Sequence, residues 1–450
     1  MENDLPDVIK EINKSKKATK ITTLTKAKAA RLKKMFSGSV SVDAISNGGY
    51  AYRRIHLSFG SKSAGKNALL YQMMAYNQRL CRDCGGIRAI YWGVKEDRHS
   101  LFMKYVLKIP QCLCGGQGKI FLILDYEKSI DVEEPRKVEV VECFDRTTGE
   151  QVSDVEYEDA NDKYKKLCAK EKLTEKQQKT LEDLEVWLDK LDVKKQIIEQ
   201  LSTADYLVAC GVLIDELLIA DPEDTEEGIE HCRKIIKERG VDGIIWDSIQ
   251  AAIPKWVKER DAEADTMGKE AKQNALLMRH ICSSFAARDL EDEMEAYKPG
   301  FFLTSQMRSS MSMYEQDSYS GGHGIKHHIS FALEHKRNKF LKEDGTEASF
   351  KEQFYGQEIR LRAEKNKFGP PGDMYTVDYY FRESEHHSVG EIDHTKEIVN
   401  LGISKGLIER AGAYYKTKGE SFQGMARLTE FFRENPEFVG NLYEDIQEKL

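Results

Sequence analysis

IHLSFGSKSAGKNALLYQ, residues Ile55–Gln72, decides the fold. An apolar, strand-like run ends at Phe59, small residues follow, and a helical pattern begins at Leu69. Between them Gly60, Ser61, Lys62, Ser63, Ala64, Gly65, Lys66 and Asn67 spell G-x-x-x-x-G-K, a phosphate-binding loop. The glycines let backbone N–H groups curl around phosphates, the helix start adds its dipole, and Lys66 reaches the outer phosphate oxygens. The next position ordinarily brings a hydroxyl to Mg²⁺, and here Asn67 offers an amide oxygen instead. A glycine turn without a ligand is the competing reading; the strand before it and the helix after it weigh against that.

Around this loop lies a chain of 450 residues, enough for two or three domains. The N-terminus is charged from the start, without a leader-like apolar stretch, and no run is long enough to cross a membrane. Nine scattered cysteines fit reduced thiols in a cytoplasmic protein. The net charge of −8 is uneven: residues 110–216 hold 25 acidic and 15 basic side chains, so the remainder is slightly positive. The first 36 residues carry ten Lys/Arg against four Asp/Glu, with sparse apolar positions at Val8, Ile12, Leu24, Ala27, Leu32 and Phe36. That composition suits either a solvated tail or a basic helical arm that docks; local patches, not global charge, decide about nucleic acid.

Downstream of the loop a helix is predicted over Ala68–Leu80, then a strand over Arg88–Trp92 and a helix over Arg98–Ile109. Glu96 follows that strand, where a carboxylate could polarise water toward a γ-phosphate. GIIWD, Gly243–Asp247, reads as a Walker B strand whose Asp247 serves Mg²⁺. A further strand, Phe301–Ser305, ends at Gln306, a polar residue placed to sense phosphate. The Ser/Gly-rich segment after it has no apolar period and reads as a loop.

The order of phosphate loop, Glu, Walker B Asp, Gln, Ser/Gly-rich loop and Gly-Gly-x-x-x-Lys resembles the RecA recombinase family, including its phage members. GVDGIIWDSIQAAIP (Gly240–Pro254), EKNKFGPP (Glu364–Pro371) and the stretch Gly390–Glu437 are similar to that family's Walker B region, Lys-Asn-Lys strand and C-terminal domain. The resemblance implies an α/β fold: a RecA-like ATPase core with a mostly parallel twisted sheet (residues 40–385), an N-terminal arm (1–39) and a small α/β C-terminal domain (386–450). It implies ATP and Mg²⁺ as cofactors, with Lys66 on the phosphates, Glu96 activating water, Asp247 with Asn67 on Mg²⁺, and Gln306 coupling nucleotide to DNA. Lys365 and Lys367 match lysines that reach a neighbouring protomer's ATP, where cationic donors stabilise transition-state charge. A first DNA loop, about Trp256–Gly268, would offer Met267 and Gly268, with Lys272 and Arg279 on one face of the next helix. A second, about Met307–His323, would offer Arg308, Ser309, Ser310, Met313 and Tyr314, with Gly321 and Gly322 opening a phosphate-facing helix. The implied partners are single-stranded DNA, homologous duplex DNA, further copies of the chain in a helical filament, and single-strand-binding and loader proteins, with no membrane. The implied place is the cytoplasm, the host's if the gene is a phage's.

The chain departs from the family at Asn67, and at Phe102 and Met103, which stand nearest to the expected adenine-stacking Tyr. His327 stands where an interface aromatic is usual. An acidic insertion, residues 110–216, has no counterpart. It is expected to hold a strand at Lys119–Leu124, a hairpin of Val138–Cys143 with Gln151–Tyr157, and helices from Ala160 to Leu201. Its charge is a solvated face, a screen against stray DNA, or a partner's dock. Cys81-x-x-Cys84-Gly-Gly and Cys112-x-Cys114-Gly-Gly each follow a predicted helix and should meet at the edge away from the nucleotide. They read as a structural Zn²⁺ site, with Cys143 as a substitute ligand, or as unpaired thiols in loops. The favoured function is an ATP-dependent strand-exchange recombinase. A helicase or branch-migration ATPase of the RadA/Sms type and a weakly hydrolysing structural filament are the alternatives.

Overall fold

The computed structural model describes residues 33–130, 136–145, 151–152, 160–161, 163–165, 167–168, 174–200, 203–238, 240–258, 276, 279–281, 299–308, 318–319, 322–349 and 352–449. Its centre is a ten-stranded sheet. In chain order the main strands are β1 (Ile55–Gly60), β2 (Phe121–Asp125), β3 (Leu217–Ala220), β4 (Gly243–Asp247), β5 (Gly300–Arg308), β6 (Phe331–Leu341), β7 (Gly356–Asn366), β8 (Met374–Tyr380) and β9 (Glu391–Ile392). Across the sheet they run β9-β8-β7-β6-β1-β5-β4-β2-β3, and the short strand Ser318–Tyr319 pairs with the end of β5. From β6 to β3 all neighbours are parallel; β7, β8 and β9 add antiparallel pairings. Parallel order turns every one of those six strand ends toward one rim, where open α/β sheets bind their ligands.

Helices cover both faces. α1 (Lys66–Gln78) leaves the phosphate loop, α2 (Arg98–Tyr105) packs beside it, and α3 (Thr225–Glu238) lies on the opposite face. The period of two in β1 explains the split: Ile55, Leu57 and Phe59 pack with Ile229, Cys232 and Ile236 of α3. The other face gathers Leu69, Leu70 and Met73 of α1 with Ile123, Ile245 and Phe302. From Ala68 to Gln78 every residue of α1 is buried, so the helix is a core element with no solvent stripe.

The C-terminal domain is a small α/β unit: α4 (His394–Ser404), a three-stranded antiparallel sheet, α5 (Met425–Glu434) and α6 (Pro436–Lys449). Asp393 caps α4 by accepting from the Lys396 N–H at 2.9 Å. Leu428, Phe432, Leu442 and Ile446 share one apolar cluster with Tyr76, Leu80 and Met103 of the core. A buried polar seam crosses the same boundary. Glu397 accepts from the Ser41 N–H and pairs with His394 Nδ1 at 2.7 Å, while His394 Nε2 meets the Tyr76 hydroxyl at 2.7 Å.

Several expectations are corrected. Arg88–Trp92 is no strand: Ala89–Trp92 forms a short helix whose Tyr91 and Trp92 N–H groups donate to Arg88 O, and both neighbours of β2 are already other strands. The strand expected inside the insertion at Lys119–Leu124 is β2, seated between β3 and β4 in the central sheet. The segment that leaves the core is therefore 131–202, and Thr203 Oγ1 donates to Ser129 O at 2.6 Å across its root. Within it Arg136–Asp145 pairs with Gln151–Val152, as the hairpin predicts, and with Leu191–Gln200 over all ten residues. Leu191–Gln200 was expected as helix. The preceding helix, Glu175–Asp189, instead stops at Lys190, and the Val/Ile-bearing run after it pairs as strand. The arm's residues 1–32 lie outside the described residues.

Candidate active site

Gly65, at φ +79°, starts α1 by taking the left-handed turn that lets the loop double back; a Cβ there would lie 2.3 Å from Ile359 Cδ1. At Gly60 a Cβ would lie 2.1 Å from the carbonyl oxygen of His335, so β1 and β6 approach only because that position is bare. The helix begins at Lys66, three residues before its apolar pattern, which aims the free N–H groups of its first turn into the loop.

A cleft of about 420 Å³ opens on this rim. Lys62, Ser63, Ala64, Gly65, Lys66 and Asn67 form one wall; Glu127, Asp247, Ser248, Thr304, Ser305 and Gln306 form the facing one. Lys66 Nζ donates to Ser61 O at 2.7 Å and Gly60 O at 3.3 Å. Burial lowers its pKa, while Asp247 and Glu127 hold it up. Asp247 accepts from Thr304 Oγ1 at 2.5 Å and from Asn67 Nδ2 at 2.7 Å, and burial pushes its carboxyl up to about 6. Ser248 Oγ donates to Glu127 Oε1 at 2.6 Å. Gln250 Nε2 ties Ser305 Oγ to the backbone oxygen of Gln306 at 2.8 and 3.2 Å. Lys66, the oxygen-bearing side chains of Asn67, Glu127 and Asp247, and the N-terminus of α1 thus face one cleft. Asn67 and Asp247 are close enough to share a divalent ion, and the donor set is the hard-oxygen type Mg²⁺ takes.

The sequence placed Glu96 here, and the geometry moves it. Glu96 is exposed in the turn before α2 and does not line the cleft. The carboxylate on the wall is Glu127, two residues past the end of β2. Asp125 pairs in register with Asp247 and caps its own loop, accepting from the Ile130 N–H at 2.7 Å. FLILDYE carries the same apolar-strand-then-acid signal as GIIWD, so the residue was findable; assigning its strand to the insertion hid it. Phe102 and Met103 are corrected likewise. Met103 is fully buried, and Phe102 stacks on His394 at 4.2 Å, both against the C-terminal domain. The aromatic rings on the cleft are Tyr71, Tyr206, Phe340, Tyr379 and Phe381, joined by Arg337.

Lys365 and Lys367 lie at the opposite end of the sheet, because Lys365 pairs with Ala332 near the start of β6. Lys365 Nζ donates to Lys326 O, and burial lowers its pKa with Lys367 adding to the shift. His328 is lowered first by burial and then by Arg279, His327, Lys367 and Lys365, so these cations share one basic surface. Gly322 begins the helix Gly322–His328. Arg308 ends β5, and Met307 and Arg308 pair with Tyr319 and Ser318, closing the base of the second loop. Met267, Gly268, Lys272, Ser309, Ser310, Met313, Tyr314 and Gly321 lie outside the described residues.

At the end of the sheet away from the cleft, Cys81, Cys84, Cys112 and Cys114 bring their four sulfurs within 4.8 Å of one another. Such a set is suited to zinc. The side chain of Cys143 lies outside the described residues.

The RecA N-terminal domain family matches residues 197–385, and the RecA C-terminal domain family matches 396–450. Protein RecA of Streptococcus mutans is 28% identical over 248 residues, 54% of this chain and 59% of that protein. Protein RecA of Leptospira biflexa is 27% identical over 244 residues (54% and 58%), and that of Legionella pneumophila 28% over 248 (54% and 65%). The chain thus spans well under two thirds of the first of these relatives' length. Among the described residues no helix is long and apolar enough to cross a membrane.

Proposed function

The chain belongs to the RecA family, and from that premise we propose that it is an ATP-dependent DNA strand-exchange recombinase acting as a helical filament on single-stranded DNA. The observation that carries the proposal is the convergence of Lys66, Asn67, Glu127 and Asp247 on one cleft at the C-terminal rim of the parallel strands. Lys66 and the loop N–H groups hold the phosphates of ATP; Asp247 with Asn67 would hold Mg²⁺, which would supply charge to offset that of the phosphates. Glu127, in the role first expected of Glu96, accepts a proton from water as its oxygen attacks the γ-phosphorus and ADP leaves. Gln306, on the cleft and at the base of the second loop, couples phosphate to that loop. Tyr206 and Tyr379 supply rings of the kind that stack on a base.

Lys365, Lys367 and Arg279 lie on a surface their own cleft cannot use. On this reading the two lysines complete the ATP site of a neighbouring copy, so turnover depends on assembly. Single-stranded DNA and its homologous duplex occupy the two loops, no DNA bond is cut, and Zn²⁺ on the four thiols is the structural metal. One observation favours a second reading, a filament that barely hydrolyses ATP: Asn67 brings an amide where a hydroxyl ordinarily serves Mg²⁺.

ATP turnover with and without single-stranded DNA, followed by electron microscopy of the same mixtures, tests the proposal. DNA-stimulated turnover with helical filaments is expected. Filaments without turnover support the second reading, and neither filament nor DNA response overturns both.

A further inference from the structure

The four-cysteine cluster sits where the elements of the cleft begin and end. α1 starts at Lys66 and runs thirteen residues, about 20 Å, to Gln78, with Cys81 three residues beyond. β2 starts seven residues after Cys114 and ends two before Glu127. β4, which ends at Asp247, is preceded by Asp242, whose carboxylate accepts from the Ile120 N–H at 3.0 Å and from Arg82 Nε at 3.2 Å. The elements that carry Lys66, Glu127 and Asp247 to the cleft are thus rooted, at their far ends, in one knot.

The knot has the build of a metal site. Cys81 and Cys112 are buried, Cys84 and Cys114 exposed, and none forms a disulfide. Cys114 Sγ lies 3.4 Å from both Cys81 Sγ and Cys112 Sγ. A tetrahedral Zn²⁺ with bonds of about 2.3 Å holds four sulfurs about 3.8 Å apart, so small adjustments seat the ion. The two turns repeat each other. Each second cysteine precedes a glycine of positive φ, Gly85 at +75° and Gly115 at +70°. The next glycine in each, Gly86 and Gly116, turns its N–H to the sulfur of Cys84 or Cys114. Neither could bear a side chain: a Cβ on Gly116 would lie 2.5 Å from Cys81 Sγ, and one on Gly86 2.9 Å from the Cys112 nitrogen. Backbone bonds lace the turns together: Cys81 N to Gly86 O at 2.8 Å, Arg82 N to Gln117 O at 2.8 Å, and Cys112 N to Ile87 O at 2.7 Å. N–H groups aimed at sulfur and a buried cation nearby, Lys119, balance the charge that four thiolates bring.

We infer that Zn²⁺ on Cys81, Cys84, Cys112 and Cys114 is the anchor that sets the spacing of Lys66, Glu127 and Asp247 across the cleft, so that losing the ion impairs ATP turnover from the far side of the sheet. The inference rests on the proposed zinc and ATP chemistry and goes beyond both. Short elements transmit the effect: a helix and two strands rooted in one rigid knot cannot slide independently, and misplacement by about 1 Å costs on the order of 10²-fold in rate.

The full-length protein, purified without chelator, tests each step separately. About one zinc per chain is expected, and protein loaded with Co²⁺ instead should show the absorption of a tetrahedral tetrathiolate ion. No stoichiometric metal and no such spectrum overturn the site. With the metal established, stripping it should lower kcat about tenfold or more while nucleotide affinity changes less, and restore on adding Zn²⁺. Hydrogen exchange should rise in α1 and β2 together. Bound metal whose removal leaves both kcat and that exchange unchanged overturns the anchoring role. If the wild type does not turn over ATP, the recombinase reading fails by itself and the exchange still decides the anchor. Cys84→Ser should lose metal and Cys168→Ser keep it; should Cys84→Ser not fold, the stripped and reloaded wild type gives the same answer.

Discussion

The two ends of α1 and β2 are built from opposite materials. At the cleft end Lys66, Asn67 and Glu127, partly open to solvent, and the buried Asp247 are arranged around a space. At the other end stand four sulfurs within 4.8 Å of one another, held by a mesh of backbone bonds in which Gly86 and Gly116 leave no room for a side chain. An anion site must stay open to exchange its ligand, and its charges are tolerable only where phosphate and metal will offset them. A staple has no ligand to release, so it can be dense and soft. The same two elements serve both ends, which makes position at one a function of closure at the other.

Mutations can break this comparison at either end. The largest effect belongs to Lys66→Ala, which should lower ATP turnover by about 10²-fold or more while leaving zinc content unchanged; metal analysis and turnover on one sample check it. Glu127→Gln should lower kcat about 10²-fold with nucleotide affinity nearly intact, whereas Glu96→Gln should change neither. Equal effects at the two positions would remove the assignment to β2. Asp242→Asn leaves both ends in place and weakens the link between them. Its expected cost is about 1–3 kcal/mol of stability, read by denaturant unfolding, with a smaller fall in turnover. Asn67→Thr should raise Mg²⁺-dependent turnover a few-fold by returning a hydroxyl, and no change would show that the amide already serves the ion.

The smallest effect is a pH slope. Asp247 titrates at 3.8 unfolded and about 6 folded, because burial disfavours its charge. Between those values the folded chain holds a proton that the unfolded chain lacks, so metal-free stability should fall as pH rises from about 4 to 6. Mg²⁺ needs the carboxylate charged, so turnover should rise across the same window. Asp247→Asn should flatten the first slope and abolish the second, measured by thermal unfolding and by turnover.

Much of the cleft end could be read before any coordinates. Gly60–Asn67 and Gly243–Asp247 are local patterns whose chemistry lies within a few consecutive residues, and the cysteine pairs carry their glycines beside them. Glu127 was missed for a different reason. Its strand stands just before 131–202, and a reader who starts the departure from the core at Pro110 discards β2 with it. Phe102 and Met103 failed because nothing in one chain says which face of α2 the C-terminal domain will cover. Leu191–Gln200 failed because Lys194, Lys195 and Glu199 sit as easily on a helix as on a strand. Its partner Arg136–Asp145 is some fifty residues away, and pairing at that distance leaves no local trace.

The root of the departing segment has a consequence for how such a protein could have come about. Ser129 and Thr203 are in contact, so the core's ends are already joined where the extra sequence departs. Closing a loop costs more as it lengthens, but only slowly, and here the core's two ends meet whatever lies between them. For evolution such a place is a port. Sequence can be spliced in, exchanged or deleted there without asking any strand of the sheet to move. Because the port opens between Glu127 and Tyr206, whatever is plugged into it arrives at the rim of the cleft, and a lineage could acquire a new controller of the old chemistry in one genetic step.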